Sequence, residues 1–179
     1  MDAREFIRPN TLMVYRLAVQ LGVNGRSRER YLERCWGYVV HKIKYPPGSQ
    51  FVQDWHVMHA YPGHRNTPLV RYEVHDYWNL PSETIRDRIG DCDDKSILLT
   101  SLLRRRYSSS EVYCTVGRVA GYGHMWVSLR TDKGWVAYET TKVQPAVYET
   151  GLYEPSFRFN DLSVIAKRGL RIPDLHPRR

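Results

Sequence analysis

Apolar residues recur along the chain in two periods, and the change of period divides it. Between Ser27 and Ile43, the residues Tyr31, Leu32, Cys35, Trp36, Val39, Val40 and Ile43 fall at i, i+1, i+4, i+5, i+8, i+9 and i+12. That spacing lines one face of a helix capped by Ser27 and puts Cys35 in a buried stripe. An earlier helix is expected from a cap at Asn10 through Leu21, ended by Gly22. Ser82 opens a short helical turn, with Glu83 and Thr84 early in it, that leads to Gly90. From Asp93 to Arg106 there is no Gly or Pro, and Ile97, Leu98, Leu102 and Leu103 sit at helical spacing. Arg104-Arg105-Arg106 closes this run, where a helix dipole is negative. The pattern predicts an amphipathic helix of about four turns with Cys92 in its first turn.

Beyond Arg106 the period falls to two. Val112, Cys114 and Val116 alternate with Tyr113, Thr115 and Gly117, which predicts a strand. Gly121-Tyr122-Gly123 breaks the chain, His124 to Leu129 predicts the next strand, and Asp132-Lys133-Gly134 signals a turn into the strand Trp135 to Thr140. Tyr45-Pro46-Pro47-Gly48 starts an irregular stretch reaching Pro81, in which Leu69 to Val74 reads as a strand. The stretch also carries His56, His59, His64 and His75, but no cysteine pair or HExxH pattern supports zinc there. The tail from Pro145 to Arg179 holds Tyr148, Tyr153, Phe157 and Phe159, which are expected to pack on the sheet before a frayed end. The fold class is α+β: N-terminal helices and a cysteine-bearing helix packed on an antiparallel sheet.

The 179 residues suit a single domain, and no internal repeat divides it. No run approaches the ~18 apolar residues of a membrane span. The opening MDAREFIRPN lacks the apolar core of a secretory signal, so with residue 1 as the native start the protein is expected in the cytoplasm. Three cysteines (Cys35, Cys92, Cys114) make no disulfide framework and leave a usable thiol. The net charge is +8 and the pI near 9.5, but the basic residues are dispersed and form no nucleic-acid motif. Solvated surface charge is the better reading, and an acidic partner stays open. Oligomeric state leaves no mark in these patterns.

Cys92 stands out chemically. At a helix start a thiol meets free N–H groups and the positive dipole end, both of which favour thiolate. A nucleophile needs a base, and the base an orienting group. A two-residue loop at Thr131-Asp132, or a four-residue loop from Arg130 to Lys133, sets His124 directly across from Glu139, about 5 Å apart at Cβ. Cys92 would then attack a carbonyl, His124 would shuttle the proton, and Glu139 would hold the tautomer. The oxyanion would meet the Cys92 N–H and a second donor, for which Trp78 and Tyr77 are the candidates.

These residues resemble the transglutaminase-like cysteine hydrolase superfamily. The carriers are Asp76-Tyr77-Trp78-x-x-Pro81-x-Glu83 with Gly90-Asp91-Cys92-Asp93-Asp94, then Gly123-His124-Met125-Trp126-Val127, then Trp135-x-x-Tyr138-Glu139-Thr140-Thr141. They are most similar to archaeal and phage members and to bacterial transglutaminase-like cysteine proteinases. The resemblance spans about residues 30–141, leaving 142–179 as a C-terminal extension, and implies a papain-like core with Cys92 as nucleophile, His124 as base and Glu139 as third member. The family more often has aspartate at that third position. It implies cysteine-dependent hydrolysis of a peptide or isopeptide bond in a protein or peptide substrate. Transglutaminase-type acyl transfer to an amine, an inactive binding module and a basic nucleic-acid-binding protein are the alternatives. Asp91, Asp93 and Asp94 crowd negative charge around Cys92. In the similar proteinases such carboxylates go with calcium, yet three sequential acids are not a full 6–8 ligand shell. Asp93 as the helix cap, with no cofactor, is the preferred expectation.

Overall fold

The computed structural model describes residues 2–46, 55–59, 69–73, 77–143, 146–167 and 176–177. A short 3-10 turn, Ala3–Phe6, precedes α1 (Leu12–Leu21) and α2 (Arg28–Lys42); then come β1 (Trp55–His59), β2 (Leu69–Glu73), β3 (Tyr77–Trp78), α3 (Pro81–Asp87) and α4 (Cys92–Leu103). The remainder is mostly strand: β4 (Val112–Val119), β5 (Tyr122–Thr131), β6 (Gly134–Tyr138), β7 (Val147–Tyr148), β8 (Tyr153–Phe159), β9 (Val164–Ala166) and β10 (His176–Pro177). β7-β6-β5-β4-β8-β9 form one antiparallel six-stranded sheet; β1 pairs with β2, and β10 with β3. The architecture is α+β, as the periods predict. No helix among the described residues is long and apolar enough to cross a membrane.

The helix ends follow local chemistry. The Ser27 side chain accepts from the Arg30 N–H, and Gly22 ends α1 at φ 96°. Thr11, not Asn10, caps α1. Pro81 occupies the first turn of α3, and the Glu83 carboxylate accepts from the Leu80 N–H. Of the histidine-rich stretch, His56 and His59 fall in β1, while His64 and His75 lie outside the described residues.

α4 departs from its expected form. Every residue from Asp93 to Leu103 is buried, so the helix is central rather than amphipathic. It packs against α1, α2 and α3 and against β4 and β5. Two of its serines are satisfied by neighbours: Ser96 Oγ donates to the Met125 carbonyl, and Ser101 Oγ accepts from the Arg8 N–H. The three arginines follow the helix and fasten it outward, Arg104 to Asp161 and Arg106 to the Val23 and Arg26 carbonyls.

The core also extends beyond residues 30–141. Phe6 meets Trp78 edge-on at 5.2 Å, and Trp78 stacks on Phe159 at 5.3 Å, so both chain ends close over one side of α4. The tail does not merely lie on the sheet: β8 is one of its inner strands, between β4 and β9. Gly117 is required where the β4–β8 register shifts around the extra β8 residue Ser156. A Cβ there would collide with the Glu154 carbonyl and the Trp126 ring.

Two hairpin turns set the site. Ala120 and Gly121 turn β4 into β5 with φ of 52° and 85°, the primed geometry that suits strand twist. Tyr122 and Gly123 are therefore strand residues rather than the break. The β5–β6 loop is Asp132-Lys133, since Thr131 pairs with Gly134 and Val127 with Tyr138. Pairing is thus one residue further along each strand than expected. The shift preserves parity, so His124 and Glu139 share a face as diagonal neighbours rather than direct ones.

Candidate active site

Cys92 opens α4 with Asp91 as its N-cap. The turn before it is tight: a Cβ on Gly90 would lie 2.7 Å from the Asp94 Cβ. Lys44 runs beside Ile89 as a parallel bridge, accepting from the Gly90 N–H, which fixes the approach to the helix. Cys92 is half-buried, whereas Cys35 and Cys114 are buried. Burial pushes the Cys35 thiol up to about 12 and the Cys114 thiol well above its ordinary value.

His124 lies on β5, where Cys92 is among the groups that raise it, and the Cys92 thiol itself donates to Asp93 Oδ1 at 3.9 Å. His124 Nε2 is 2.8 Å from Glu139 Oε2, which leaves Nδ1 for the thiol. The diagonal placement explains why a glutamate reaches: the longer side chain spans an offset of two residues. Burial disfavours the imidazolium, but the bonds to Cys92 and Glu139 and their negative charges outweigh it, lifting His124 to about 9. Burial likewise pushes the Glu139 carboxyl up, yet the bond and charge of His124, the Tyr153 hydroxyl and Lys142 hold it below its ordinary value.

The sign of the linkage follows. His124 is raised from 6.5 to about 9, so the charged pair contributes roughly 3 kcal/mol below pH 6.5, lost as pH climbs through 9. Glu139 acts oppositely: its contribution is present above its unfolded value and lost as pH falls through the folded one. Urea unfolding of the wild type and of His124→Gln is therefore expected to differ by roughly 3 kcal/mol more at pH 6 than at pH 9.5. An equal difference at both pH values would contradict the charged pair.

Several residues without a sequence signal of their own complete the site. The Tyr153 hydroxyl donates to Glu139 Oε1 at 2.9 Å, and the Trp36 indole to the Glu139 carbonyl at 2.6 Å. The Trp126 ring lies nearly parallel to His124 at 6.4 Å, and its indole donates to Glu149 at 2.7 Å. Tyr45 borders the site, its phenol raised by burial and by the charges of Cys92, Asp91, Asp93 and Asp94. Trp78 does not line an open cleft: it is buried between Phe6 and Phe159, with Cys92 against the same cluster. The Tyr77 side chain lies outside what is described.

The acids are arranged differently from the expectation that Asp93 caps α4. Asp91 takes the cap position, and Asp93 points into the protein from the first turn. Burial, the hydrogen bond and charge of Asp91, and the charges of Cys92 and Asp94 hold the Asp93 carboxyl well above the carboxylate range. Asp94 accepts from the Asn79 N–H at 2.7 Å and the Asn79 side chain at 2.6 Å. Oxygens of Asp91, Asp93 and Asp94 all lie within 4.8 Å of one another. Ligands of one calcium ion, each 2.3–2.6 Å from it, can be at most about 5 Å apart, so this donor set fits such a cation.

No protein-family profile and no curated protein matches the chain. Among solved structures, Legionella pneumophila LapG superposes with a TM-score of 0.63 at 17% identity, over 88% of this chain and 80% of LapG. A calcium-bound LapG structure is 18% identical with a TM-score of 0.46, over 89% of this chain and 88% of its own. A putative cysteine protease from Cytophaga hutchinsonii is 16% identical with a TM-score of 0.46, over 81% of this chain and 44% of its own. The chain has the α+β fold of the transglutaminase-like cysteine proteases.

Proposed function

We propose that the protein is a cysteine-dependent peptidase acting on a protein or peptide amide through a thioester. The observation that carries this reading is a half-buried thiol on the first turn of α4 and an imidazole, raised in part by that thiol, whose Nε2 is bonded to a buried carboxylate. Cys92 attacks the carbonyl carbon and its proton passes to His124 Nδ1. Glu139 keeps the proton on Nε2 and stabilises the imidazolium as it forms. The oxyanion is met by the Cys92 N–H at the helix start. His124 then gives its proton to the leaving amine, and in the second half takes one from water as the water resolves the thioester.

A calcium site at Asp91, Asp93 and Asp94 is supported by the spacing of their oxygens, all within 4.8 Å of one another. The ion would neutralise the carboxylates beside the nucleophile. Asp91 and Asp93 would then act as ligands, while Asp94 stays tied to Asn79 ahead of α3.

The test is incubation of the wild type and Cys92→Ala with a mixed peptide library, with calcium and with EGTA. Intact mass and fragment sequencing are the readouts. Cleavage and an acyl adduct on Cys92, both absent in the variant, are expected. An added primary amine that replaces water in the products would assign acyl transfer instead of hydrolysis. No cleavage, no amine product and no adduct under either condition would contradict the reading.

A further inference from the structure

Glutamate at position 139 has one more torsion than an aspartate would have, so its carboxylate needs more ordering to face His124. The surroundings supply that ordering from the opposite side. Oε2 faces His124 at 2.8 Å, and Oε1 accepts the Tyr153 hydroxyl at 2.9 Å, so the two oxygens are held by different elements. Tyr153 is itself fixed without help from Glu139. It begins β8, where it pairs with Val119 of β4, and its ring packs edge-on against Trp126 at 5.2 Å. Trp126 in turn lies against His124 and is anchored through its indole to Glu149. Glu149 also takes Ser128 and Arg158, which ties the segment leading into β8 to the sheet. The C-terminal segment thus braces both hairpin members of the site, and Tyr153 is its one contact with the acid's carboxylate among the described residues.

We propose that Tyr153 is a positioning residue that fixes Glu139 in the rotamer facing His124, and that a glutamate functions at this position because this hydroxyl completes its hydrogen bonding. The proposal rests on the Cys92-His124-Glu139 reading. The charged and titratable groups facing the pair are Cys92 from α4, Tyr153 from β8, Lys142 after β6 and Glu149 before β8.

The experiment compares the wild type, Tyr153→Phe, Glu139→Asp, the double variant and His124→Ala at one fixed calcium concentration. Two readouts are used: the rate of Cys92 alkylation by iodoacetamide at pH 6 relative to pH 9, and the His124 ring titration by NMR, its signal identified by loss in His124→Ala. Phenylalanine keeps the ring against Trp126 and removes only the hydroxyl, so Tyr153→Phe is expected to fold. It should lower the pH 6 to pH 9 ratio about tenfold, the scale of one hydrogen bond to a charged group, and move the His124 titration to lower pH. Glu139→Asp should do the same, because the shorter side chain cannot reach His124 and Tyr153 together. In the aspartate background Tyr153→Phe should then add less than twofold.

A His124 titration and a ratio unchanged in Tyr153→Phe would overturn the proposal, as would an undiminished Tyr153→Phe effect in the aspartate background. Were Tyr153→Phe to unfold, Glu139→Asp alone decides: a wild-type His124 titration there contradicts the proposal. If His124→Ala also leaves Cys92 alkylation unchanged, the underlying triad reading fails instead, and the two failures are told apart.

Discussion

Glu139→Gln is expected to lower turnover about 10³- to 10⁴-fold while leaving the protein folded, the scale found when the acid of a catalytic triad becomes its amide. The cause is a tautomer. Tyr153 donates to the Oε1 side of residue 139, which draws the amide oxygen there and turns the amide NH2 toward His124 Nε2. That nitrogen must then accept, the ring proton moves to Nδ1, and His124 can no longer take a proton from Cys92. The carboxylate charge that stabilises imidazolium is lost as well, so His124 should titrate well below its value of about 9. Turnover of a peptide identified in the library and the NMR titration are the two measurements. Turnover within tenfold of the wild type would remove Glu139 from the mechanism.

His124→Ala should cost at least as much, about 10⁴-fold or more. Removing the base takes away proton transfer in both half-reactions together with the charge that pairs with the thiolate. Because His124 is mostly buried and bonded to Glu139 at 2.8 Å, the same change leaves a buried carboxylate without its cationic partner. A loss of stability should accompany it, largest near pH 6, where His124 and Glu139 are both charged. The urea comparison therefore separates the two contributions: catalysis falls at every pH, whereas the stability deficit shrinks toward pH 9.5.

Much of this was legible along the chain, for identifiable reasons. The i, i+4 stripe of α2 reports which face is buried, whereas the alternation in β4 marks the strand but not a single buried face, since Val112 to Thr115 are all buried. Cys92 could be placed because Gly90 and the uninterrupted run after it mark a helix start, and Gly90 is needed there for close approach to Asp94. The face shared by His124 and Glu139 survived an error in loop position because a shift of one residue on each strand conserves parity. Their distance did not survive it, and the diagonal offset gives glutamate, rather than a shorter acid, a physical role.

What stayed hidden depends on contacts between distant segments. The uniform burial of α4 cannot be read from its own residues, since Ser96, Ser101 and Asp94 look solvent-facing until Met125, Arg8 and Asn79 are seen to satisfy them. Trp78 is a candidate oxyanion donor by its place near the cysteine motif, but Phe6 and Phe159, from opposite ends of the chain, enclose its ring. Asp93 looked like a cap because aspartate favours that position; Asp91, two residues earlier, occupies it. Tyr153 reads along the chain only as a tail aromatic packing on the sheet, because its contact with Glu139 exists only once β8 joins β4.

On the proposed mechanism His124 activates one thiol of three, and competitive alkylation measures that directly. Wild type and His124→Ala are treated with iodoacetamide from pH 5 to pH 10, and adducts at Cys35, Cys92 and Cys114 are quantified by mass spectrometry. Cys92 should be modified near pH 6, with Cys35 and Cys114 protected by burial and their raised thiols, and His124→Ala should remove that low-pH reactivity. Equal Cys92 labelling in the two proteins across the whole range, rising only where an ordinary thiol ionises, would contradict the account.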